Sequence, residues 1–174
     1  SNDVSIDILS QNQMVVKTKV VTTVLNELGL NSLNLSENYD KNSKINSIEA
    51  VAYDAFGKEL KSFKKKDFRD ISVADGVSIF NDNRALYLDY TPTVYPFTMV
   101  FETQITTSNT AFIQPWVPLE GYLISVQKSS LTLSYKPDLK LNVKEINFAG
   151  QSYIEKTIAE GSVKYAAKNI LARK

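Results

Sequence analysis

Apolar and polar positions alternate with a period close to two over most of this chain, which is the spacing of a strand with one buried face. Over residues 13–25, Met14, Val16, Val20 and Val24 occupy one parity, while Lys17 and Lys19 occupy the other. Phe97, Met99, Phe101, Thr103 and Ile105 alternate with Thr98, Glu102 and Gln104. Leu131, Leu133 and Tyr135 alternate with Thr132 and Ser134, and Leu139, Leu141 and Val143 with Lys140 and Asn142. Many of these residues are β-branched, and branched side chains pack well on a pleated surface. The same pattern predicts strands over residues 4–9, 45–53, 59–63, 85–90, 122–128, 153–159 and 162–171. So many short strands need a second layer to cover their apolar faces. The expectation is an all-β protein, an antiparallel β-sandwich with little helix.

The breaks between strands carry their own chemistry. Asp54-Ala55-Phe56-Gly57 separates two strand patterns, and Gly57 can supply the positive φ that closes a hairpin. Lys136-Pro137-Asp138 interrupts two alternating runs, as Pro does in a ladder. Residues 30–44 hold Asn31, Asn34, Asn38 and Asn42 among serines and read as a polar loop or an irregular edge strand. A short helix is expected only over residues 65–73, with Asp67 as its cap. The domain reading is an N-terminal strand or appended remnant at 1–12, a β-sandwich at 13–147, and final strands at 148–174 that continue into a downstream region.

Composition narrows the chemistry. The chain has 174 residues with 20 basic and 19 acidic side chains, a net charge of +1, so nucleic acid is not an expected partner. Cysteine and histidine are both absent. That excludes thiol nucleophiles, Ser-His and Cys-His dyads, Cys/His zinc sites and haem ligation by His. No apolar run reaches the ~18 residues of a membrane helix, and no cofactor pattern is present.

The remaining motifs favour structural readings. Ser62-Phe63-Lys64-Lys65 and Ser125-Val126-Gln127-Lys128 match S-x-x-K, but that motif needs a helix to align Ser with Lys, and both lie on or beside strands. Asp67, Asp70 and Asp75 follow Lys64-Lys65-Lys66 and read as a salt-bridged surface rather than a catalytic carboxylate pair. Asn81-Asp82-Asn83-Arg84 resembles the start of a calcium loop without its Gly or terminal Glu, and reads as an Asx turn. No catalytic residue and no metal site is expected.

Aromatics are the remaining candidates. Tyr87, Tyr90, Tyr95, Phe97, Trp116 and Tyr122 gather in the middle of the chain among Pro92, Pro96, Pro115 and Pro118. Exposed rings beside loops grip the apolar faces of sugars, so Tyr90, Tyr95 and Trp116 are candidate binding residues. The competing reading makes Trp116 part of the core, and an inward-facing indole is the expectation here.

The order of several short patterns resembles a bacterial family. It runs from Tyr39-Asp40 through Ala50-Val51-Ala52-Tyr53-Asp54-Ala55-Phe56-Gly57-Lys58, Asp67-Phe68-Arg69-Asp70 and Asn81-Asp82-Asn83-Arg84. Tyr95-Pro96-Phe97-Thr98, Trp116-Val117-Pro118, Ser125-Val126-Gln127-Lys128 and Tyr135-Lys136-Pro137 continue it. From residue 13 onward this is similar to a domain of unknown function that precedes a transglutaminase-like domain in secreted proteins of Gram-negative bacteria. The resemblance implies a β-sandwich, an extracytoplasmic (periplasmic or cell-surface) setting, and a downstream domain of the same polypeptide bearing a Cys-His-Asp triad. The triad has no counterpart in a chain without Cys or His. The chain then reads as a non-catalytic accessory module that supports, or presents substrate to, that catalytic domain. The alternatives are a carbohydrate- or glycopeptide-binding module and a protein-docking or adhesion scaffold.

Overall fold

The computed structural model describes residues 1–73, 82–119, 121–139, 141–148 and 150–173. Asp75, Asn81 and Lys140 of the motifs above lie outside the described residues. Strands account for 54% of the described residues and helix for 6%, all of it in two short 3-10 turns, so the all-β expectation holds. Among the described residues eleven strands follow in chain order: β1 (Asn2–Ser10), β2 (Gln13–Val24), β3 (Ser36–Tyr39), β4 (Ser43–Asp54), β5 (Glu59–Lys64), β6 (Arg69–Ser72), β7 (Arg84–Tyr87), β8 (Phe97–Thr107), β9 (Val126–Tyr135), β10 (Ile154–Ala159) and β11 (Ser162–Ile170). They fall into two compact units: residues 1–18 with 107–174, and residues 19–106. The dividing points lie within β2 and at the end of β8.

The 19–106 unit is a two-layer sandwich. One layer has the order β2-β8-β4-β5, the other β3-β7-β6. Phe97, Met99 and Phe101 on β8 are all buried, as their alternation requires. Ile45, Ile48, Ala50 and Ala52 of β4 and Phe63 of β5 extend this floor, and Leu35, Phe68, Leu86 and Leu88 close it from the other layer. Phe68 and Phe101 stand ring to ring across the layers at 6.2 Å. Each such side chain contributes about 1.5–3 kcal/mol by leaving water. The β4–β5 hairpin closes as its sequence predicts. Asp54 Oδ1 accepts the N–H groups of Phe56 and Lys58 at 2.8 and 2.9 Å, and Gly57 takes φ 81°.

The other unit is assembled differently. Its strand order is β10-β11-β9-β1-β2, and the β1–β9 pair is parallel, in register from Asn2↔Ser129 to Ile8↔Tyr135. The β10–β11, β11–β9, β3–β7, β4–β5 and β6–β7 pairs are antiparallel. β1 is thus an integral strand, with Ile6 and Ile8 buried. Asp3 anchors it, accepting from Ser130 Oγ at 2.5 Å and pairing with Lys128 at 3.0 Å. Gly161 turns β10 into β11 at φ 65°. A Cβ there would sit 2.7 Å from the Tyr135 carbonyl, so only glycine fits.

Three local expectations are corrected. Residues 65–73 are not a helix: a 3-10 turn at Lys65–Asp67 leads into β6, because pairing with β7 and burial of Phe68 outweigh a weak local helix signal. Residues 139 and 141–143 are not a strand; Leu139 and Leu141 instead lie against the core of this unit as irregular chain. Strand β9 starts at Val126 rather than at 122, where a turn intervenes. Within residues 30–44, the polar segment resolves into the end of a 3-10 turn (Glu27–Ser32) and the edge strand β3.

Phe97→Ala should lower the unfolding free energy by about 3–5 kcal/mol in urea titration, the cost of emptying a buried ring site. Phe56→Ala, at a position 96% exposed, should change it by less than about 0.5 kcal/mol.

Candidate functional site

The three aromatic candidates occupy two different environments. Tyr90 and Tyr95 flank the same buried ring, Phe97, with centroids 5.4 and 5.8 Å away. Tyr90 also meets Phe63 edge-on at 5.7 Å and is packed against the core of the 19–106 unit. Burial pushes its phenol pKa up. Tyr95 precedes a cis bond to Pro96 and keeps 40% of its surface exposed. Partial burial and then the nearby Glu27 carboxylate push its phenol up. Tyr95 is therefore the most exposed of the three candidates.

Trp116 belongs to the other unit and turns inward. Its indole is half-buried on that unit's core, 6.1 Å from the Tyr165 ring and 6.3 Å from Phe148. Its Nε1–H donates to Ser129 Oγ at 2.9 Å, and Ser129 is itself fully buried on β9. An indole packed against two tilted rings and hydrogen-bonded at its only donor is part of the cover of this core. Phe148 and Tyr165 complete the trio, edge to face at 5.7 Å. Trp116 and Phe148 thus cover Tyr165 of β11, and Trp116 also reaches Ser129 of β9.

The polar motifs resolve into structural roles. Lys65 Nζ donates to the Ile45 carbonyl at 2.6 Å, and Lys128 pairs with Asp3, so neither S-x-x-K lysine faces its serine as a base. Asp67 Oδ2 accepts the Lys64 N–H at 2.7 Å and caps the turn before β6. Asp70 does something else. It accepts from Arg84 Nε and Tyr39 Oη, both at 2.9 Å, tying β6, β7 and β3 together. The Arg84 and Tyr39 hydrogen bonds hold its carboxyl below the usual range. Asp82 lies 3.8 Å from Lys41. Among the described residues no group of three or more acidic side chains is placed to hold a metal.

Two clusters had no signal in a single sequence. Glu145 accepts from Lys156 Nζ at 2.5 Å and from Tyr165 Oη at 2.8 Å, with Lys156 lying 5.4 Å over the Tyr165 ring. Glu37 on β3 turns toward β8 and accepts from the buried Thr103 hydroxyl at 2.7 Å. Burial raises the Glu37 pKa; bonds from Thr103 and the Asn38 N–H only partly offset it. Both carboxylates sit on strands or loops far in sequence from their partners, so spacing could not reveal them.

Taken together, the geometry defines an all-β sandwich protein whose charged groups serve mainly to tie strands. The chain belongs to the family described as a domain of unknown function with a solved structure, DUF3857, whose model matches residues 10–174. The residue pattern resembles a domain of unknown function, and the match agrees to that extent. A crystal structure described as a "putative protease" from Parabacteroides distasonis aligns with a TM-score of 0.64 at 14% identity. The alignment covers 99% of this chain and 35% of that one, so the chain spans about a third of the length of that relative. At this identity the likeness is one of fold. Comparison with curated proteins finds no match.

Trp116→Ala should lower the unfolding midpoint by an amount worth about 3 kcal/mol. Native emission from this single Trp should be blue-shifted; water-like emission with an unchanged midpoint would return Trp116 to the list of exposed platforms. Glu37 supplies a pH test with a definite sign. Its raised pKa means the folded state keeps this proton to higher pH than the unfolded state, so stability falls as pH rises through the window just above the usual carboxyl value. Glu37→Gln should remove that fall, gaining stability over wild type at about pH 7 relative to about pH 4 in parallel urea titrations.

Proposed function

We propose that this chain is a non-catalytic accessory module of a secreted, protease-like bacterial protein, placed ahead of a transglutaminase-like catalytic domain that it supports or to which it presents substrate. The observation that carries the reading is the coverage of the structural match: the whole of this chain corresponds to about a third of a protein described as a protease. The family match over residues 10–174 is compatible with it, since that family is described as a domain and not as a whole protein. The chain's own chemistry points the same way. It has no Cys or His, and its S-x-x-K lysines and its Asp67 and Asp70 carboxylates are each engaged by strand-tying partners. Catalysis, in this reading, belongs to the Cys-His-Asp domain downstream, and the setting is extracytoplasmic.

The glycan-binding alternative rests on Tyr95, the aromatic candidate with a large open surface. It predicts Tyr95-dependent binding on a glycan array by the chain alone.

The decisive experiment joins genetics and assay. The parent reading frame should continue into a segment bearing Cys, His and Asp in transglutaminase-like order. The 174-residue chain should show no transglutaminase, peptidase or glycosidase turnover, whereas the parent protein should show activity that is lost with its Cys. Robust turnover by the 174-residue chain, abolished by one Asp or Ser substitution, would reverse the assignment.

A further inference from the structure

Strand β10 stands at one end of its sheet, with β11 on one side and no strand on the other among the described residues. Its residues 155–159 are all exposed. A bare strand edge carries backbone N–H and C=O groups ready to pair with another chain, and proteins blunt such edges. Among the described residues the other edge strands are blunted. β5 has a register shift at Ala52/Tyr53 and carries Lys61 and Lys64, while β3 and β6 are only four residues long. β10 is six residues long, pairs with β11 without a register shift, and leaves Ile158 70% exposed. Its one lysine, Lys156, is held by Glu145 at 2.5 Å.

The ladder fixes which backbone groups of β10 face outward. Along an antiparallel strand the hydrogen-bonding groups of successive residues turn to opposite sides. The Tyr135 N–H donates to the Gly161 carbonyl at 2.8 Å, which turns the odd residues of β11 toward β9 and the even ones toward β10. Ser162, Lys164 and Ala166 lie opposite Ala159, Thr157 and Glu155, so these three bond β11 through their backbone groups. The Lys168 N–H donates to the Tyr153 carbonyl at 3.3 Å and gives the same alternation. The N–H and C=O groups of Lys156 and Ile158 therefore point to the open side. Ile154 points there too, but its N–H is taken by the Gln151 carbonyl at 3.2 Å.

We propose that β10 is a self-association edge, at which two copies of this chain join by antiparallel β10–β10 pairing centred on Thr157. In that register Lys156 of each copy lies opposite Ile158 of the other. Each opposition exchanges two N–H···O=C bonds, so every outward group of Lys156 and Ile158 is met. The side chains agree with this register. Thr157 meets its own counterpart at a close, non-hydrogen-bonded position, where Thr–Thr pairs are favourable. Glu155 lies opposite Ala159, and no like charges face each other. Lys156 keeps Glu145 as its counterion while its methylene stem lies along Ile158 of the second copy. Centring on Lys156 instead would set two lysines opposite each other, and centring on Ile158 would carry the pairing past Ala159 into a turn. This fit of the edge to itself selects a second copy over a foreign strand. The proposal does not depend on the accessory-module reading.

One strand buries less than the about 800 Å² per partner of a standard interface, so the dimer should be weak. Sedimentation equilibrium should find monomer at about 10 µM and mostly dimer at about 1 mM. Between those concentrations the Lys156 and Ile158 amides should slow in hydrogen exchange by at least about fivefold, while those of Glu155 and Thr157, already bonded to β11, should not change. The chain has no cysteine, so Thr157→Cys places a single thiol on the two-fold axis, within disulfide reach of its counterpart. On oxidation that variant should cross-link into a dimer, and Glu155→Cys should not. Ile158→Lys sets lysines opposite each other and should keep the chain monomeric at about 1 mM, with its dilute-solution unfolding midpoint unchanged. A wild-type chain that stays monomeric, or a dimer indifferent to Ile158→Lys, overturns the proposal. So does equal cross-linking through Glu155→Cys and Thr157→Cys, which would place the contact elsewhere. Protection of the Lys156 and Ile158 amides without self-association also overturns it, by giving the edge to a different strand.

Discussion

The 19–106 unit depends on one row of side chains. Phe97, Met99 and Phe101 rise from the same face of β8, and all three are buried. A strand with such a face cannot be left open to water, so a second layer is required above it. The small sheet β3-β7-β6 supplies that layer through Leu86, with Leu35, Phe68 and Leu88 from the segments flanking its strands. Much else follows from this constraint. The chain turns back sharply at Lys65–Asp67 because Phe68 must reach Phe101, and the turn is capped by Asp67 for the same reason. The face of the small sheet that carries Leu86 is also tied by Tyr39, Asp70 and Arg84, a network across β3, β6 and β7.

Among the described residues, the other unit meets the same requirement without a second sheet. Its strands present Ile6, Ile8, Leu131, Leu133, Val163 and Tyr165, and irregular segments cover them with Ile113, Trp116, Leu139, Leu141 and Phe148. Irregular chain leaves more backbone polar groups to satisfy than a strand does. Large aromatic side chains suit such a cover, because each blankets a wide area and Trp carries a donor that must be met, here by Ser129. This is why the Trp that stands between two prolines is structural. Its loop position left a sugar platform open as an alternative, and the inward-facing expectation is the one the geometry matches.

Engagement of the charged groups bears on function more than their number does. Asp3, Asp67, Asp70 and Glu145 each accept hydrogen bonds that join separate elements or cap a turn. A reactive carboxylate needs a partner that leaves when substrate arrives, and a strand-tying ion pair is a poor source of one. Glu37 is the exception in environment, half-buried with a raised pKa, yet it faces a buried threonine. Of the aromatic candidates, Tyr95 is the one left exposed at the surface of the 19–106 unit.

The sequence alone determined the fold class, the β4–β5 hairpin and most strand positions. Those rest on local rules: period-two alternation, an Asx-Gly turn, and the absence of capped amphipathic runs. It also excluded thiol and imidazole chemistry, because composition needs no geometry. Only the tertiary structure decided the rest. The parallel pairing of β1 with β9 joins residues more than a hundred positions apart, which no local pattern encodes. Leu139, Leu141 and Val143 alternate as a strand should, but Leu139 and Leu141 are used as a lid, since periodicity reports which residues are apolar and not what they lie against. The helix expected near Asp67 gave way to β6, because pairing with β7 outweighs a weak propensity over so few residues. Trp116 could have faced either way by sequence. Ser129, Phe148 and Tyr165, brought together only by folding, turned it inward.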